Sequence, residues 1–95
     1  MNPRIIEDRI QDGFRIIVIE TCGMVCSQQI GVVLKDGIIN NVQFLGGCAG
    51  NTQGLASLLR GMRVEEAINR LKGINCGNKG TSCPDQLARG LEIIK

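Results

Sequence analysis

Five cysteines carry most of the chemistry this chain could do: Cys22, Cys26, Cys48, Cys76 and Cys83. Thiolates bind soft metals, exchange disulfides and attack electrophiles. The spacing alone does not choose among these. Cys22-Gly23-Met24-Val25-Cys26 is the one close pair, no C-x-x-C redox pair occurs, and the later cysteines are far apart in sequence. Position says more. Cys26, Cys48, Cys76 and Cys83 fall where strands or helices should begin or end. Glycine directly flanks Cys76, and glycines crowd around Cys48 in Gly46-Gly47-Cys48-Ala49-Gly50. Glycine lets backbone approach closely, which helps thiolates converge on one ion at about 2.3 Å. The competing reading is inert packing, since unpaired cysteine is among the most buried residue types.

Cys83 stands in Gly80-Thr81-Ser82-Cys83-Pro84-Asp85. Ser82 and Asp85 have the spacing of a capping box, and proline is tolerated in a first helical turn. Cys83 is therefore expected at a helix N-terminus, where amides and the helix dipole favour a thiolate as ligand or nucleophile. Asp85 reads as a cap residue. Gly77-Asn78-Lys79-Gly80-Thr81-Ser82 has phosphate-loop composition, but its lysine is misplaced and the element before it is helical. The reading there is a helix cap, with nucleotide binding as the alternative. Glu65 and Glu66 open a helix, where acids are favourable. Arg60, Arg63, Arg70, Lys72 and Lys79 read as a solvated face. There is no histidine, which excludes Ser-His and Cys-His catalysis and imidazole ligands.

The elements that must position these residues divide the chain in two. Phe14–Glu20, Gln29–Lys35 and Ile38–Leu45 read as strands, with Asp36-Gly37 as a two-residue hairpin turn. Ile30, Val32 and Leu34 should share one face of their strand, and Ile38, Val42 and Phe44 one face of the next. Residues 4–10 follow the pattern more weakly, and Gln11-Asp12-Gly13 is a turn signal. The second half is helical. The first helix is expected to start at Asn51 or Thr52, bury Leu55, Leu58, Leu59 and Met62, and break at Gly61. The second buries Val64, Ala67, Ile68 and Leu71 and ends at Gly73. The third starts at Ser82 and buries Leu87, Ala88, Leu91 and Ile94. Strands followed by helices predict one α+β domain over residues 1–95, with about three helices on one face of a small antiparallel sheet.

Bulk properties set limits. In 95 residues the only aromatics are Phe14 and Phe44, so the core is aliphatic and small enough to gain from a staple. The net charge of +2 is scattered, and aromatic stacking platforms are missing, so nucleic-acid binding is not expected. No apolar run is long enough for a membrane span, and Met1–Ile10 lacks a signal-peptide core. A cytoplasmic, reducing setting is the expectation, and there an odd number of cysteines suits metal or redox chemistry better than disulfides.

Gly46-Gly47-Cys48-Ala49-Gly50-Asn51-Thr52-Gln53-Gly54-Leu55 and the run from Arg70 to Glu92, containing Thr81-Ser82-Cys83-Pro84-Asp85, resemble the TSCPD-domain family. The likeness covers about residues 26–91. A related domain forms the C-terminal part of adenosylcobalamin-dependent ribonucleoside-diphosphate reductases. The resemblance implies a zinc-binding domain whose ligands correspond here to Cys26, Cys48, Cys76 and Cys83, with Cys22 as the alternative to Cys26. It also implies an accessory or regulatory role, with a protein partner that is a candidate link to ribonucleotide reduction. It does not extend to reductase catalysis, which this length cannot hold, and no catalysis is expected from the chain alone. The alternatives are a thiol redox protein, an iron–sulfur carrier and a nucleotide-binding module. An exposed sheet edge would also permit a homodimer.

Overall fold

The computed structural model describes residues 2–23, 27–46, 49–75 and 80–94. The order is ββββααα: β1 Arg4–Gln11, β2 Phe14–Glu20, β3 Ser27–Lys35, β4 Ile38–Gly46, α1 Ala49–Leu59, α2 Val64–Leu71 and α3 Cys83–Ile94. The strands form one antiparallel sheet in chain order β1-β2-β3-β4. The α+β expectation is met.

Two turns set the register at one end of the sheet. Asp12 and Gly13 have φ of 55° and 82°, and Asp36 and Gly37 have 54° and 76°. Positive φ at both central residues matches the twist of the flanking strands, so β1–β2 and β3–β4 close as two-residue hairpins. Alternation then sends Ile17 and Ile19, Ile30, Val32 and Leu34, and Ile39 and Val42 inward, all buried. They meet Leu59, Val64, Ala67, Ile68, Leu71, Leu87, Ala88 and Leu91 from the helices in one aliphatic core.

Three expectations change. Ile38 is 40% exposed and Ile39 is buried in its place. Val33 pairs with Asn41 and Leu34 with Ile39, so Asn40 is an extra residue that flips the alternation of β4 between its start and Val42. α1 begins at Ala49, ahead of Asn51 and Thr52. Leu58 is 75% exposed, leaving Leu59 as the buried residue of that pair.

α3 lies along β2 and runs against it. The Cys22 N–H donates to Gln86 Oε1 at one end (2.9 Å), and Arg15 Nη1 donates to the Ile94 carbonyl at the other (3.4 Å). Between them Gly90 sits so close that a Cβ there would lie 2.5 Å from Ile19 Cδ1. Glycine is what allows this approach. α2 starts at the hairpin end, where its Val64 N–H donates to the Gly37 carbonyl (3.0 Å).

Candidate functional site

The described neighbours of all five cysteines belong to one end of the molecule, opposite the hairpin turns. Glu20 pairs with Gln29 and Ser27 pairs with Gly46. Thr21 closes the β2–β3 connection, with both its N–H (3.1 Å) and its hydroxyl (3.2 Å) donating to the Gln28 carbonyl. Cys22 and Cys26 lie in this connection, and Cys48 lies in sequence between Gly46 and the start of α1. On the helical side Gly80 N–H donates to Asn75 Oδ1 (2.7 Å), bracketing the stretch that contains Cys76. Cys83 is the first residue of α3.

A buried polar knot holds the helical part of this end together. Thr81, Asp85 and Gln86 are fully buried and Ser82 nearly so. Such groups demand partners, and each has them. Ser82 Oγ accepts from the Asp85 N–H (3.1 Å), as a helix N-cap should, and donates to the Ile74 carbonyl (2.7 Å). Asp85 does not complete the capping box. Its Oδ1 accepts the Gly73 N–H (2.7 Å), and its Oδ2 accepts from the Thr81 hydroxyl and from Arg89 Nε (2.8 Å). Gly73, at φ 89°, turns the chain out of α2 and points this N–H at the carboxylate. Asp85 thus fastens the end of α2 to the start of α3.

Gln86 carries the knot across to the sheet. Its Nε2 donates to Thr81 Oγ1 (3.0 Å), while its Oε1 accepts the Cys22 N–H. Cys22 and Cys83, both half-buried, are therefore fixed to the same first turn of α3. Burial alone would push the Asp85 carboxyl up. The bonds from Thr81, Gly73 and Arg89, with the Arg89 charge, outweigh that and leave it below the ordinary carboxylate range.

Of the sequence-predicted ligands, Cys83 is described, as is the alternative Cys22. Cys26, Cys48 and Cys76 lie outside the described residues, as does Lys79 of the phosphate-loop reading. Among the described residues no three Cys, Asp, Glu or His side chains form a metal-binding group. The donor chemistry of the described residues fits a soft ion: Cys83 opens α3, the Cys22 backbone is tied to the same helix, and the carboxylate nearest in sequence, Asp85, is fully engaged. Nothing in the sequence marks Gln86, and Thr81 stands in the motif without a role of its own. Asp85 was in view, but as a cap.

Among the described residues no helix is long and apolar enough to cross a membrane. A family model described as TSCPD domain matches residues 6–95. That match reaches beyond the span the motifs alone carry and takes in β2 and most of β1. No curated protein and no solved structure matches the chain significantly.

Proposed function

Because the chain belongs to the TSCPD-domain family, we propose that it is a small thiolate metal-binding module with an accessory or regulatory role and no catalysis of its own. The ion is zinc, held by Cys48, Cys76, Cys83 and one of Cys26 or Cys22. When bound it supplies a cross-link, tying the β2–β3 connection, the end of β4 and the start of α3 in a domain whose core is modest. The partner is a protein, with ribonucleotide reduction as the candidate process.

One observation carries this reading. The described residues next to every cysteine gather at one end, and a fully satisfied buried knot fixes Cys83 and the Cys22 backbone there. Inert packing does not account for Cys22 and Cys83, which are half-exposed while the buried positions beside them belong to Thr81, Asp85 and Gln86.

Metal content per chain tests the ligand set. Cys83→Ser should lose the ion, and of Cys22→Ser and Cys26→Ser only one should. Equal metal in wild type and Cys83→Ser would sink the assignment. Iron with sulfide in place of zinc would move it to a cluster carrier.

A further inference from the structure

The two edges of the sheet differ. At the start of β4 the edge is closed by the chain itself: Ile39 N–H donates to the Met62 carbonyl (2.8 Å), Gly61 N–H donates to the Ile39 carbonyl (2.8 Å), and Ile38 bridges to Arg63. Among the described residues no backbone hydrogen bond reaches the outer side of β1. Its side chains are exposed almost throughout, with Ile10 79% and Ile6 43% accessible. An open edge is a template for another strand.

The turn at Asp12-Gly13 fixes which backbone groups β1 offers. Gln11 and Phe14 flank a two-residue loop and exchange hydrogen bonds. Arg9, opposite Ile16, and Glu7, opposite Val18, keep the same phase. Asp8 and Ile10 therefore aim their N–H and C=O groups outward. A second β1 can pair antiparallel only in registers that respect this phase. Centred on Glu7, the register sets Glu7 against Glu7 and Ile6 against Asp8. Centred on Arg9, it sets Arg9 against Arg9. Centred on Asp8, it sets Glu7 against Arg9 and Ile6 against Ile10, each twice. Opposite charges and apolar pairs across a ladder stabilise it, and like charges do the reverse. The central Asp8 meets its own copy, but each Asp8 already carries Arg15, which donates to both carboxylate oxygens (2.9 and 2.7 Å). Within each chain Arg9 ion-pairs with Glu7, so dimerisation exchanges these two pairs for two across the interface and leaves no charge unpaired.

We propose that the protein is a two-fold homodimer in which β1 pairs antiparallel with β1 of a second copy about Asp8, making one continuous eight-stranded sheet. Charges and the bulge at Ile6 usually blunt an edge strand. Here the charges are ordered to accept their own sequence and reject shifted registers. The interface is built from residues distant from the cysteine end, so it stands independently of the metal.

The test is analytical ultracentrifugation of the full chain, under reductant, across a concentration series. The wild type should dimerise. Glu7→Arg and Arg9→Glu should each weaken the dimer at least about tenfold, by setting like charges opposite each other. The double variant Glu7→Arg/Arg9→Glu should recover it. Both side chains are exposed, and circular dichroism should show every variant folded. A monomeric wild type, a dimer indifferent to the single reversals, or a double variant that stays monomeric would each overturn the proposal.

Discussion

The hairpin end and the cysteine end of this domain are stabilised in opposite ways. At the hairpin end each turn is made by two adjacent residues, Asp12-Gly13 and Asp36-Gly37, whose positive φ returns the chain, and α2 is tied on there by a backbone bond. At the cysteine end the chain returns through longer connections, closed by bonds between residues distant in sequence: Cys22 to Gln86, Gly73 to Asp85, Ser82 to Ile74. Local turn chemistry needs no ligand. A polar knot beside the half-exposed Cys22 and Cys83 holds that end in place, and on the proposed reading a metal would complete the closure. The family motif divides along the same line: Thr81, Ser82 and Asp85 build the platform, and Cys83 is the residue it presents.

The largest effect should come from cutting the knot at its centre. Asp85→Ala leaves the Gly73 N–H and the Thr81 hydroxyl without their acceptor and Arg89 without its carboxylate. It should cost about 3 kcal/mol in denaturant unfolding. Acid titration gives a second reading of the same group. The folded Asp85 pKa is lowered, so its contribution is complete above the ordinary Asp value near 3.9. It should be lost as pH falls through the lower folded value, and the Asp85→Ala variant should lack this part of the acid limb.

A smaller effect is expected at the link to the sheet. Gln86→Leu removes the acceptor of the Cys22 N–H and a donor to Thr81, costing about 1–2 kcal/mol. It should also raise the hydrogen-exchange rate of the Cys22 amide and weaken metal binding. The smallest belongs to the other end. Gly37→Ala forces a side chain into positive φ at a cost of about 1 kcal/mol and should leave metal affinity unchanged. If Gly37→Ala weakened metal binding as much as Gln86→Leu, the two ends would not be separable as described.

Much of this was legible in the sequence, for reasons that differ by region. β2 was readable to the residue because a short β-branched run that follows an Asp-Gly turn is a local signal. The α2 stripe of Val64, Ala67, Ile68 and Leu71 was equally plain. What failed were features set from elsewhere. One extra residue, Asn40, moved Ile39 inward in place of Ile38, and nothing in the local alternation marks a bulge. The first helix began at Ala49, ahead of the cap candidates Asn51 and Thr52. Thr81 belongs to a motif that does not announce its burial, and Gln86 is a polar residue with no pattern of its own. Gln86 is buried because a backbone N–H 64 residues earlier needs an acceptor, a demand visible only once the sheet and α3 are packed. At the site, the place of Cys83 at a helix start followed from the capping signals, while the means of holding that helix start did not.

On the proposed reading, the cysteine end is a metal site built on that knot. Elemental analysis of the protein purified without chelator, with thiols counted before and after unfolding, tests it most directly. A metal site there should give about one zinc per chain, with four thiols masked until the protein unfolds. A folded protein that carries no metal and shows all five cysteines reactive would contradict it.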